Sequence, residues 1–336
     1  MKIAILLLLS SAGCLFAAID GTVVNGTTGK PEAGVSITLV KPGQQGMQTL
    51  GTTVSDAAGH FVFEKDQPGG GPQLLQAAFK GVNYNKLMTP NIPTSNVQLE
   101  VFEATKTASV ARIEQRMMLI EPNVNQISVT NTVIVQNDSK TTYNNEAEGS
   151  MRFYLPPEAK GQVRVNAQGP QGMPLPRPAE RTDETGVYKV NFPVKPGETQ
   201  FEATYVIPAG SPFTLRDRVL GVKGMPAGPV HLIVPAGVTL AGKDLQNAGT
   251  EQKTQATIYT VTAPEAFSAD ITGIGSLRTP GADGPTADTS EAPQPVEAPP
   301  QIYHHIAWLL SLALSILAVG LIFLFRSSPV RSPYAK

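Results

Sequence analysis

Cysteine is almost absent from this 336-residue chain: Cys14 is the only one, and it lies in the first apolar segment. A body without cysteine cannot be held by disulfides, so any fold outside the cytoplasm must rest on packed secondary structure. Histidine is scarce too, with four residues (His60, His231, His304 and His305). Charge is low at 16% and nearly balanced, net −1, which leaves no electrostatic footprint for nucleic acid. Aromatics make up 6%. Glycine and proline are plentiful, 31 and 29 residues, and punctuate the chain as expected for many short strands.

The motifs of common active sites are missing as well. Catalytic zinc needs three protein ligands and an open position; neither HExxH nor HxxE occurs. His60 and Glu64 share a strand face by spacing but have no third partner in the sequence nearby, and His304-His305 fall beside an apolar run. There is no GxSxG elbow, no GxxxxGK[ST] loop and no GxGxxG after a strand. Asp56-Ala57-Ala58-Gly59 lacks the acids of a calcium loop. The sequence therefore predicts no catalytic, cofactor-binding or metal site, and a chain that is not an enzyme. Asn25-Gly26-Thr27 and Asn137-Asp138-Ser139 fit N-glycosylation sequons.

What the chain does have is two apolar ends. Lys2, the run Ile3 to Leu9 and the small residues after it have the layout of an export signal, residues 1–17, cleaved near Ala17 or Ala18. Ser11-Ala12-Gly13-Cys14 also resembles the end of a lipobox, which would place a lipid on Cys14 instead. Ile306 to Phe325 is 20 residues without a charge, enough at ~1.5 Å per residue for a ~30 Å hydrocarbon core. Residues 304–326 are thus expected to form one transmembrane helix. The tail 327–336, with Arg331 and Lys336 behind Arg326, would stay cytoplasmic and leave the body outside, in the periplasm or at the cell surface. Ala307, Ser311 and Ser315 have the small-residue spacing of helix pairing, though ordinary small residues explain them more simply. Residues 275–303 lose apolar periodicity to Pro, Ala, Thr and acids, and read as a disordered stalk with a reach of roughly 80 Å.

Between the ends the pattern is strand-like. Val35, Ile37 and Leu39 alternate with Ser36, Thr38 and Val40; Phe61 and Phe63 share a face after a tight turn at Asp56–Gly59. Gly21, Val23, Gly29-Lys30-Pro31, Ala33-Gly34-Val35 and the run Thr53, Asp56, Gly59, Phe61, Phe63 together resemble the carboxypeptidase regulatory-like family. The resemblance covers about residues 18–90 and implies a transthyretin-like β-sandwich over 18–104 that supports folding, interaction or attachment without being catalytic. The family's Pro-Gly followed by Tyr is replaced by Pro68-Gly69-Gly70-Gly71-Pro72, so a looser loop is expected at 67–73.

Residues 105–274 continue the alternation. Ala111, Ile113, Met117 and Leu119 are expected inward on one strand, and Ile127, Val129, Val133 and Val135 on the next. These predict a second β-sandwich region, one domain or two, of the immunoglobulin-like or fibronectin-like sort, with a long exposed loop at 166–184. The fold class expected is all-β with a single C-terminal transmembrane helix. The function expected is display of a protein- or carbohydrate-binding body at the membrane. An accessory subunit of an envelope transport or assembly complex is the alternative, and an unrecognised hydrolase ranks third.

Overall fold

Extended residues with alternating burial account for almost all regular structure in the computed structural model, which describes residues 19–277 except 44–45, 64–70, 90–91, 171, 209–212 and 264. The chain is all-β there: no α-helix occurs among the described residues, only short 3-10 turns at Ala108–Val110 and Pro157–Ala159. The expected signal (1–17), the span Ile306–Phe325, the paired positions Ala307, Ser311 and Ser315, and the stalk beyond 277 lie outside the described residues. Among the described residues no helix is long and apolar enough to cross a membrane.

The first eight strands are β1 (Ile19–Asn25), β2 (Lys30–Pro31), β3 (Ser36–Gly43), β4 (Gly46–Val54), β5 (His60–Phe63), β6 (Gln73–Phe79), β7 (Val82–Met88) and β8 (Val97–Val101). One sheet centres on β1, antiparallel to β2 and β5 and parallel to β8; the other is antiparallel in the order β4-β3-β6-β7. Their inner faces share one core that includes Val23, Ile37, Leu39, Phe61, Leu75 and Leu99. Each such side chain, fully buried, contributes roughly 1.5–3 kcal/mol. Phe61 and Phe63 both point inward, ring edge to face at 6.2 Å. The turn before them forms as its chemistry dictates: Asp56 Oδ1 accepts the N–H groups of Ala58 and His60, and Gly59 takes φ +74°. Gly21 is required by a close approach, since a Cβ there would sit 2.0 Å from the carbonyl oxygen of Val97 on β8.

Val40 stands on the face opposite Leu39, as expected, yet is buried there too. The register shift beside this pair adds a residue, Leu50, to β4 and leaves the phase of β3 intact.

The remaining strands are β9 (Ala104–Thr105), β10 (Arg112–Pro122), β11 (Gln126–Asn137), β12 (Thr142–Tyr143), β13 (Met151–Tyr154), β14 (Arg164–Gln168), β15 (Leu175–Arg177) and β16 (Glu180–Arg181). They continue with β17 (Val187–Val190), β18 (Gly197–Pro208), β19 (Phe213–Arg218), β20 (Val230–Val234), β21 (Thr239–Ala241), β22 (Leu245–Thr250), β23 (Thr257–Val261) and β24 (Ala266–Thr272). Eight of them make one sheet, β15-β14-β18-β11-β10-β20-β23-β22. Two three-stranded sheets, β13-β17-β16 and β19-β24-β21, pack with it on a single core holding Ile120, Val129, Phe201 and Leu232 from the large sheet and Phe153, Leu215 and Ala269 from the small ones.

Ile127, Val129, Val133 and Val135 are buried in alternation as expected. On β10 the expected inward pair Met117 and Leu119 is only half-buried; Arg116, Met118 and Ile120 face the core instead. The cause is a bulge between Ile113 and Gln115, which shifts the two-residue phase by one and turns an arginine inward.

The segment 166–184 is not one loop. Residues 164–168 and 175–177 pair as β14 and β15, and β16 pairs with β17. Its polar composition hides this, because the pairing is through backbone and through Arg177, whose Nε and Nη2 both donate to the Asn191 carbonyl at 3.1 and 2.9 Å. The chain also stays attached beyond the expected start of the stalk at 275. Gly275 N–H donates to Pro122 O, and Ser276 Oγ and Leu277 N–H donate to Glu121 Oε1 at 2.7 and 2.8 Å.

Candidate ligand-binding seam

Opposite the unbroken eight-stranded sheet, the second layer is interrupted. β13 and β19 are end strands of their three-stranded sheets and approach one another without pairing. Edge strands leave carbonyls and N–H groups in need of partners. The bulge on β10 supplies one: Arg116 reaches across, and its Nη2 donates to Arg152 O on β13 at 2.8 Å and to Leu220 O beyond β19 at 2.7 Å. A single buried guanidinium thus joins both sides of the break.

Asp217 of β19 faces the same interior. Arg116 and Asp217 are each 4% exposed. Burial pulls the Arg116 guanidinium down, with the Asp217 charge opposing. Burial likewise pushes the Asp217 carboxyl up to about 7, against the pull of Arg116 and of the Arg218 N–H that donates to its Oδ1. Tyr205 on β18 is buried beside them, its hydroxyl pushed well above the ordinary tyrosine value by burial and then by the charges of Asp217 and Tyr154. Asp217 Oδ2, the Tyr205 hydroxyl and Arg152 Nε have no hydrogen-bond partner. Buried polar atoms are almost always paired, so three of them on one seam mark it as unusual.

On the outer side the seam is tied by Glu184, in the turn between β16 and β17. It accepts from Arg152 Nη2 at 2.8 Å and from Arg218 Nη2 at 3.2 Å, with Arg152 also 3.9 Å from Glu148. Such exposed pairs are individually worth only ~0–1 kcal/mol; their effect here is to fix the position of the 180–188 turn. Gly186 lets that turn lie on Tyr154: it has φ +74°, and a Cβ would come within 2.6 Å of the ring.

Three cavities follow the seam. The first, about 320 Å³, is lined by Asp217, Arg218, Lys243, Phe267, Ser268 and, at one end, Tyr154. Tyr154 also lines the second, about 600 Å³, with Lys160, Arg181, Glu184 and Tyr188. Arg181 and Glu184 continue into the third, about 320 Å³, beside Arg152 and Lys189. Shared walls make these one furrow.

The residues singled out in the sequence lie elsewhere. His60 is exposed on β5, Glu64 lies outside the described residues with His304 and His305, and His231 Nδ1 is 3.3 Å from Thr260 Oγ1. Among the described residues no three His, Cys, Asp or Glu are grouped to hold a metal. Both sequon asparagines are 1% exposed. Asn25 Nδ2 donates to Glu32 and Glu103, and Asn137 Nδ2 donates to Thr141 O and Val194 O. Of the expected loops, the end of 166–184 does reach the furrow through Arg181 to Glu184, while most of 67–73 lies outside the described residues. Sequence reasoning missed Arg116, Tyr154, Tyr205 and Asp217; the one available signal was a charged residue inside an apolar strand pattern.

No family model and no curated protein matches this chain. Among solved structures, a mutant two-domain M1 zinc metallopeptidase bound to L-tryptophan aligns over 48% of this chain and 42% of its own, at 13% identity and TM-score 0.26. Mutant M1 zinc metallopeptidases from Deinococcus radiodurans, one of them bound to a Tyr-Ser-Ala substrate, align over the same shares at 14% and 12% identity, also with TM-score 0.26. The chain spans less than half the length of these peptidases, and such scores do not establish a common fold.

Proposed function

We propose that this is a non-enzymatic protein anchored by one C-terminal span, which displays its β modules outside the cytoplasm and binds a protein or carbohydrate partner along the seam of the second module. The observation that carries the reading is the furrow itself: a row of adjoining cavities over a layer break, with partnerless buried polar atoms along the seam beneath. Ligand sites have this character, concave with a few placed polar groups.

The membrane reading rests on the uncharged run Ile306 to Phe325 and the cations after it. The resemblance of residues 18–90 to carboxypeptidase regulatory-like modules, and of the second region to immunoglobulin-like sandwiches, agrees with a display role. Two packed sheets around Gly21, Phe61 and Phe63 support the transthyretin-like assignment.

A photo-crosslinking residue at Thr185, on the furrow wall, tests the binding reading in intact cells producing the full chain. A discrete adduct is expected there and not from the same residue at Gln48 on the far β4 edge. Equal labelling at both positions, or none at either, would refute it.

A further inference from the structure

The two ends of the second module differ in charge. At the end joined to the first module stand Asp138, Lys140, Lys195 and Glu198. At the other end four segments meet: the β10–β11 turn, the end of β18, the turn after β20 and the end of β24. Gln126 pairs with Pro208, Gly275 N–H donates to Pro122 O, and a Cβ on Gly273 would lie 2.0 Å from Gly237 O. Residues 122–126, 206–208, 235–239 and 272–276 read PNVNQ, VIP, PAGVT and TGIGS, without a charge in any of them.

Apolar side chains are turned outward here. Val124 is 76% exposed, Ile274 59% and Val206 42%. Val124 is held at its tip by the asparagine before it. Asn123 N–H donates to Gln126 O, and Asn123 Oδ1 accepts from the N–H groups of Asn125 and Gln126 at 3.0 and 3.3 Å. A turn paired within itself loses less when its tip leaves water. Gly237 and Gly273, at φ +83° and +94°, let the adjoining turns close against one another.

The chain leaves the body at this same end. Leu277 is fixed there by its N–H to Glu121, and residues 278–305 alone separate it from the uncharged run Ile306 to Phe325. A charged partner would find nothing to pair with on these tips. Four turns also offer far fewer residues than the roughly 20–30 a side of a standard protein interface. A bilayer surface asks only for apolar side chains free of charge, and a tether makes the contact intramolecular, so a weak patch suffices.

We infer that this uncharged end seats on the surface of the bilayer that the C-terminal run crosses, with Val124 and Ile274 entering the headgroup boundary. The joint with the first module then stands at the end away from the lipid. This assignment rests on that run being a membrane anchor and adds where the body meets the membrane.

The test is fluorescence quenching on the full chain in phosphatidylcholine vesicles, with chains too dilute for two copies to share one. On a Cys14→Ser background, an environment-sensitive dye is attached at Val124→Cys, Ile274→Cys or, at the opposite end, the exposed Lys140→Cys. Lipid carrying a nitroxide near its headgroup should dim the first two labels roughly twofold or more, as for groups ~5–10 Å into the boundary, and leave the third bright. Ile274→Asp, at an exposed position, should return roughly half or more of the emission lost at Val124 because a charge resists leaving water, with the unfolding midpoint unchanged. Bright labels at Val124 and Ile274, equal dimming at all three positions, or dimming untouched by Ile274→Asp overturns the inference. Flotation with the vesicles at alkaline pH separates the two readings. A chain that floats with bright Val124 and Ile274 labels keeps its anchor and loses only the seat; a chain that does not float loses both.

Discussion

The Tyr84 hydroxyl lies 2.8 Å from Thr142 Oγ1 and donates to Phe102 O at 2.9 Å, so one buried phenol on β7 fastens the first module, the linker and the second module together. Around it Thr142 N–H donates to Glu103 O, Glu103 N–H donates to Thr27 Oγ1, and Thr27 Oγ1 donates to Lys140 O. The Asn25 and Asn137 turns thereby clasp the linker from both sides.

Tyr84→Phe leaves the Phe102 carbonyl without its donor and the Thr142 hydroxyl without its acceptor. Urea unfolding should show a loss of about 1–3 kcal/mol. A variant as stable as the parent would mean that the clasp does not depend on this hydroxyl.

Arg116→Leu should be among the most damaging single changes, costing roughly 3–5 kcal/mol, because it strands Asp217 and two edge carbonyls. Pairing it with Asp217→Leu should recover part of that loss. A double-mutant cycle on unfolding midpoints measures the coupling, and strictly additive losses would contradict it.

Two limbs of pH dependence should be separable. An unfolded aspartate titrates near ~3.9, whereas Asp217 holds its proton up to about 7 in the fold. Between those values the folded chain binds more protons than the unfolded one, so stability falls as pH rises from about 4 to about 7. Lys195 behaves in the opposite sense. Packed 5.0 Å from the Tyr84 ring centre and donating to Asn83 O, it is pulled by burial down to about 8. The unfolded lysine keeps its proton to ~10.4, so this contribution grows as pH rises from about 8 to about 10. Asp217→Asn should flatten the first limb and Lys195→Met the second; curves unaltered by these changes would exclude both assignments.

Folded, secreted chain from a glycosylating host should carry no glycan at Asn25 or Asn137, since each amide is buried and bonded to two acceptors. Intact mass before and after glycosidase treatment checks this, and a shift at either site would show that the asparagine is reachable.

Protease added to sealed cells or spheroplasts should digest the β modules and spare the C-terminal tail. A protected body would reverse the orientation inferred from Arg326, Arg331 and Lys336.

Much of the strand pattern was legible in the sequence because burial on a strand repeats every two residues: Phe61 with Phe63, and Ile127 through Val135, follow it without interruption. Where it broke on β10, a single inserted residue, Glu114, was responsible. That bulge has no compositional mark, yet it decides that Arg116, and not Met117, enters the core. The seam was illegible for a different reason. Arg116, Tyr154, Glu184, Tyr205 and Asp217 come from separate strands and turns, and only the sheet order brings them together. The 166–184 stretch lay between these cases: its polarity suggested a loop, and backbone pairing made strand of residues 166–168, 175–177 and 180–181 within it.

Glu121 sits at the far end of β10, in the middle of the largest sheet, and holds Ser276 and Leu277 through one carboxylate oxygen. Tension applied to the chain beyond residue 277 is therefore delivered to a central strand, flanked by β11 and β20, before it can peel β24 from β19 and β21. Pulled from its C-terminal side, the protein would resist at this latch first, and single-molecule stretching of a Glu121→Ala variant should show the initial rupture at lower force.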